Sequence, residues 1–322
     1  VLKLAIRLFA LSGQALRLGG SVSVMCDSVD AVERYANLDE VMAQAPDENF
    51  PVALRLLPKE IQGHLRAVYG YARLVDDLGD DYPGDRSAAL DWVEAQLDAL
   101  FAGTPRHEVF SALAATVVRF GLSRDPFDKL LAANRLDQHK TDCADFAELM
   151  HYCTLSANPV GYLVLEVFEV NTPERLARSD QVCSALQVLE HLQDVAEDAA
   201  KGRVYLPAND MARFGVGVAD LSAPEASPAL RGLVAYQAAR ARVMLQHGTP
   251  LVASLRGPAR LAISGFVAGG FAGLDALEAS HFEVLSATRK AGPVRLLTCL
   301  ARVYAAALWH NRSSSQPTAS TD

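Results

Sequence analysis

Two segments far apart in the chain constrain its fold more than any other feature. Residues 62–81 and 185–207 are apolar almost all the way round a helical wheel, and each carries one polar stripe. In the first, Leu65, Val68, Ala72, Leu74, Val75 and Leu78 spread over most of the circumference, while Gln62, Arg66, Arg73, Asp76, Asp77 and Asp80 share one side, with Tyr69 among them. In the second, Leu186, Val188, Leu189, Leu192 and Val195 cover the wheel, and Gln187, Glu190, Asp194 and Asp198 form the stripe, with His191 beside it. A helix that is apolar all round belongs in the centre of a bundle. Both segments are therefore expected to be buried, with their charges inside.

Charge placed there needs a counterpart. Asp76 and Asp80, like Glu190, Asp194 and Asp198, are i, i+4 neighbours, about 6 Å apart along the axis. Like charges at that spacing oppose helix formation by roughly 0.2–0.5 kcal/mol per pair, and burial raises the cost. Turning the two stripes toward each other makes a carboxylate-lined cavity that cations must neutralise. Magnesium suits it, because it takes oxygen ligands, keeps several waters and is completed by substrate phosphates. Taken alone, each stripe is also compatible with a solvated face. Together they leave neither helix another polar side to give to water, which favours a magnesium site for a diphosphate inside a helical bundle.

The rest of the chain agrees with an all-α, single-domain bundle around a central cavity. Sustained period-2 alternation is missing and Ala and Leu dominate. Helical periodicity predicts helices over roughly 51–80, 87–102, 107–120, 125–138, 145–170, 173–200, 228–255, 257–287 and 293–308. Pro105, Pro126 and Pro173 lie at or near helix starts, Thr172 is an expected N-cap, and Gly202 is available for a left-handed cap. A net charge of −8 argues against a nucleic-acid partner. The five scattered cysteines, with no C-x-x-C pair, fit a reducing cytoplasm better than a disulfide framework. No window reaches 18 uninterrupted apolar residues; the richest, from Leu251, is broken by Arg256, Pro258 and Arg260. Residues 1–24 are apolar with Lys3, Arg7 and Arg17. They are expected to be a non-native start or extension preceding Met25, with a signal-like or interfacial helix as the competing reading. The helical domain is expected over 25–311, followed by a Ser/Thr-rich, disordered tail over 312–322.

The motifs AVYGYARLVDDLGDD (67–81) and HLQDVAEDAAKGRVYLP (191–207), with YCTLSANPVG (152–161) between them, resemble the squalene/phytoene synthase family of head-to-head prenyl synthases. The resemblance covers about 47–308. NFPVALRLLP (49–58) and LSANPVG (155–161) look most like the bacterial hydroxysqualene synthase branch of hopanoid pathways. The resemblance implies an isoprenoid-synthase-type bundle that takes presqualene diphosphate, expels diphosphate and lets water capture the rearranged carbocation. It implies magnesium held by Asp76, Asp77 and Asp80 from one helix and by Asp194 and Asp198 from the other, with Glu190 among them. It also implies diphosphate contacts from Arg73, Lys201 and Arg203, aromatic walls from Tyr69, Tyr152 and Tyr205, and substrate contacts from Phe50 and Gln187. A long isoprenoid substrate makes peripheral membrane contact an expectation; the sequence leaves the oligomeric state open.

Three departures from the family pattern stand out. Glu190 replaces a usual Asn, and Gln193 a frequent Arg. Asn49-Phe50-Pro51-Val52 replaces a serine-rich segment. Pro159 interrupts a usual small-residue run and is expected to kink its helix. Weaker provision for a second diphosphate fits a substrate carrying one. Competing readings are a squalene or phytoene synthase condensing two prenyl diphosphates, a di-iron carboxylate bundle using the Glu148/His151 and Glu278/His281 pairs, and a non-catalytic helical scaffold.

Overall fold

In a computed structural model of the protein, residues 32, 33, 35, 36, 56–286 and 291–313 are described. The expectations for residues 1–24, for Phe50 and for the tail beyond Ser313 fall outside that range. Thirteen α-helices follow in order among the described elements: α1 (Lys59–Asp80), α2 (Arg86–Phe101), α3 (Glu108–Phe120), α4 (Asp125–Asp137), α5 (Phe146–Ser156), α6 (Asn158–Val167), α7 (Pro173–Gln193), α8 (Val195–Ala200), α9 (Ala208–Phe214), α10 (Pro228–Gly248), α11 (Pro250–Ser254), α12 (Gly257–Ala279) and α13 (Pro293–Ser313). A 3₁₀ turn, Val218–Ser222, lies between α9 and α10. Among the described residues no strand forms; Asp142 and Val204 make an isolated parallel bridge.

The two segments with acidic stripes are central, as their wheels require. Helix α1 packs against α2, α3 and α4, and α7 packs against α6, α10 and α12. Along α1 every residue from Val68 to Gly79 except Asp76 is buried, and along α7 every one from Val182 to Gln193 is buried. The Tyr71 hydroxyl donates to the Phe127 carbonyl at 2.9 Å, tying α1 to α4 inside the core. Helix α12 has the length and hydropathy of a membrane span, yet most of it is buried among its neighbours. Its small residues allow that approach: a Cβ on Gly270 would lie 2.8 Å from both Leu186 and Leu245.

Start signals are read correctly where a side chain supplies them. Thr172 Oγ1 accepts the Arg175 N–H at the head of α7, and Gly202 adopts φ +74° after α8. Cys153 and Cys183 are buried helix residues whose thiols burial pushes up to about 12 and about 11, so they pack rather than react.

Three long expected helices are divided. The helix over 145–170 breaks at Ala157, two residues before Pro159, because that proline has no N–H to continue the preceding ladder and is accommodated in the first turn of a new helix. The helix over 173–200 bends at Asp194 (φ −106°, ψ 12°), although Asp194 still donates to Glu190 O and Asp198 to Asp194 O. The helix over 228–255 ends at Gly248, and Pro250 begins the short α11. The helix expected over 257–287 stops at Ala279, where His281 and Phe282 take positive φ. Helix α9 and the 3₁₀ turn are additions that the periodicity did not signal.

Candidate active site

The two stripes line one cavity. Asp76 and Asp80 reach it from α1; Gln187, Glu190, His191, Asp194 and Asp198 reach it from α7 and α8. Its empty volume is about 700 Å³, including an open mouth. Arg203 and Tyr205, from the segment after α8, and Tyr152, from α5, close its other side. Pairing of Val204 with the loop between α4 and α5, through its N–H to Thr141 O at 2.7 Å, fixes the position of Arg203 and Tyr205. The break at Ala157 serves the same cavity, since Tyr152 and Ser156 line it from α5 and Val160 from α6.

Arg203 binds Asp80 across the cavity, Nη1 to Oδ1, at 2.5 Å. Burial opposes the guanidinium charge, but the carboxylate of Asp80 more than offsets it and holds Arg203 above its ordinary range. On the opposite stripe the His191 ring stacks on Tyr205, with centroids 3.9 Å apart. Its Nε2 lies 3.0 Å from Gln187 Nε2, and its Nδ1 lies 3.8 Å from Asp198 Oδ2. If the amide donates to Nε2, the ring proton sits on Nδ1, facing the Asp198 carboxylate.

Four expected site residues are not in the cavity lining. Arg73 and Asp77 form a bidentate pair, Nη2 to Oδ1 at 2.8 Å and Nε to Oδ2 at 3.1 Å, on the neighbouring face of α1. Burial raises the Asp77 carboxyl to about 6 against the opposing pull of Arg73. Tyr69 is buried one turn before Arg73. Lys201 is exposed and lies 3.5 Å from Asp81 and 3.7 Å from Glu197. The wheel placed Asp76 and Asp77 in one sector, but successive helix residues stand 100° apart, and packing turns only the first toward the cavity.

Two polar lining residues on α4 carry no motif in the sequence. Asn134 donates to Asp76 Oδ1 at 3.4 Å and to Leu130 O at 3.1 Å. Gly79 makes room for it, since a Cβ there would lie 2.4 Å from Asn134 Oδ1. Asp137 accepts from both tyrosines, Tyr152 at 2.6 Å and Tyr205 at 3.1 Å, and burial raises its carboxyl to about 6. The available signal was faint: an Asn and an Asp three apart at the end of a helix that also carries Asp125, Asp128, Lys129 and Arg135.

Carboxylate oxygens from two helices are a donor set for a hard dication. Among the described residues, no three His, Cys, Asp or Glu side chains converge into a closed shell. Magnesium does not require one, because water and substrate phosphates complete its sphere. The two Glu-x-x-His pairs are not brought together as a di-iron centre. Glu148 is held by Lys140 and the Ala144 N–H, and Glu278 by Arg242.

Fold and site together define an all-α, isoprenoid-synthase-type bundle. Among solved structures, the squalene synthase HpnC from Alicyclobacillus acidocaldarius is similar at a TM-score of 0.70 and 35% identity, over 79% of this chain and 97% of that one. A ligand-bound dehydrosqualene synthase shares the fold at a TM-score of 0.76 and 24% identity, over 86% of this chain and 96% of that one. The chain belongs to the squalene/phytoene synthase family, whose model matches residues 43–296. It is 34% identical to hydroxysqualene synthase of Rhodopseudomonas palustris over 65% of this chain and 72% of that protein. It is 28% identical to the chloroplastic phytoene synthase 1 of Arabidopsis thaliana over 94% of this chain and 72% of that protein.

Proposed function

We propose that this protein is a hydroxysqualene synthase, converting presqualene diphosphate and water into hydroxysqualene and diphosphate on a route to squalene and hopanoids. The observation that carries the reading is the pair of acidic segments facing across one cavity, Asp76 and Asp80 opposite Glu190, Asp194 and Asp198. The likeness to the Rhodopseudomonas enzyme supports this branch of the family.

These carboxylates would hold magnesium, which when bound supplies charge neutralisation to the departing diphosphate. Arg203, already in the cavity, places a guanidinium where phosphate oxygens would arrive. Arg73, held ready by Asp77, and the exposed Lys201 are further phosphate contacts in this reading. Tyr69, Phe50 and Gln187 are assigned to substrate positioning. Cation stabilisation falls to the aromatic rings of Tyr152 and Tyr205. The described cysteines are free thiols, which supports a cytoplasmic setting. Contact with a membrane surface would serve the delivery of a long isoprenoid.

A second reading is condensation of two prenyl diphosphates to squalene or phytoene. The phytoene synthase likeness over 94% of the chain favours it. Incubation of purified protein with presqualene diphosphate and magnesium, without NADPH, separates the two. Hydroxysqualene is the expected product; turnover of farnesyl or geranylgeranyl diphosphate with no alcohol from presqualene diphosphate would reject the proposal.

A further inference from the structure

Adjoining the carboxylate cavity at the rear is a second one of about 580 Å³, lined by Leu136, Cys143 and Leu149 together with Lys140, Asp142, Glu148 and His151. The two cavities share three lining residues, Asp137, Tyr152 and Tyr205. Each phenol has one proton, and in both tyrosines it is directed to Asp137, to a different carboxylate oxygen in each case. The rings stand 5.4 Å apart, and His191 stacks on Tyr205 at 3.9 Å while lying 6.0 Å from Tyr152. One carboxylate at the end of α4 therefore ties α5 to the segment after α8. With their protons so directed, the tyrosines offer the front cavity their ring faces rather than hydrogen bonds to a diphosphate.

We propose that Asp137 is the positioning residue of a two-tyrosine wall, and that this wall, with diphosphate occupying the open mouth of the front cavity, governs when water from the rear cavity meets the carbocation. The inference rests on the hydroxysqualene reading. In that reaction a lone pair of water forms the C–O bond, and the proton it sheds passes to the diphosphate already released. Water admitted before rearrangement traps the first cation as an alcohol with its cyclopropane intact. Water admitted afterwards gives hydroxysqualene. A rigid wall favours the second outcome, because phenols locked to a partly buried carboxylate cannot swing aside during the brief life of the first cation.

The test is the ratio of the two alcohols made from presqualene diphosphate by the full chain. Asp137→Asn keeps the shape of the side chain but turns one acceptor into a donor, and Tyr152→Phe removes one donor. Each should raise the share of cyclopropyl alcohol about fivefold, the factor that one lost hydrogen bond is worth. KM and the magnesium dependence should stay close to wild type, and the double variant should add little to either single one. His151→Leu, in the rear cavity and outside the lining of the front one, makes that cavity less hydrated and should lower the same share; it serves also if Asp137→Asn folds poorly. Slower turnover with an unchanged alcohol ratio in all three variants overturns the wall. Absence of any alcohol from the wild type overturns the hydroxysqualene reading itself, and the wall with it.

Discussion

At the scale of single residues, the cavity is a balance between repulsion and use. Asp76, Asp80, Asp194 and Asp198 are partly buried carboxylates at helical spacing. Replacing one relieves repulsion, so Asp76→Asn or Asp194→Asn should leave the stability unchanged or raise it by about a few tenths of a kcal/mol, with a melting temperature no lower than wild type. The same change should reduce turnover at least ~100-fold and weaken magnesium activation, since charge stabilisation of the leaving group is lost. A thermal melt beside a magnesium titration of activity checks both halves; a destabilised variant of normal activity would contradict them. Asp137 gives a pH dependence. Burial raises its carboxyl to about 6, against about 3.9 in an unfolded chain. Between these values the folded state binds the proton more tightly, so its contribution to stability falls as pH rises through the window. In urea titrations, wild type should therefore gain stability relative to Asp137→Asn as pH is lowered from about 7 to about 4. A gap that stays constant across that range would refute the assignment.

At the scale of elements, interruptions position the chemistry. Ala157 divides α5 from α6 and lets Tyr152 and Val160 face the same cavity, while the bend at Asp194 separates α7 from α8 within the acidic stripe. Close approach of helices matters as much. Gly248, at the end of α10, meets α7 so tightly that a Cβ would lie 2.5 Å from Val182 Cγ2 and 2.9 Å from the Arg178 carbonyl. Backbone cannot yield as a side-chain tip can, so Gly248→Ala should cost about 1–3 kcal/mol in urea unfolding. Because α7 brings Gln187, Glu190 and His191 to the cavity, activity should fall with it. Gly63, exposed on α1 with open space about it, is the matched control: Gly63→Ala should be neutral or stabilising, by up to about 1 kcal/mol.

At the scale of the whole molecule, the described helices share one extended apolar core. Removal of divalent cations with EDTA should abolish turnover and leave the helical circular dichroism unchanged; coupled loss of helix would show that the cations are structural. The sequence by itself determined that the chain is helical, because periodicity of 3.6 runs through nearly all of it. It determined also that two helices are central, because their wheels leave no side for water, and it favoured a common space for their acidic stripes. Local signals such as Thr172 and Gly202 were legible because they act within a few residues. Only tertiary structure decided which side of α1 faces the cavity, setting Asp76 and Asp80 in it and closing Asp77 onto Arg73. Asp137 was equally invisible beforehand, since its partners lie 15 and 68 positions further along the chain. A carboxylate's role follows from what packing brings within hydrogen-bond reach, and sequence spacing specifies that reach only inside a single helix.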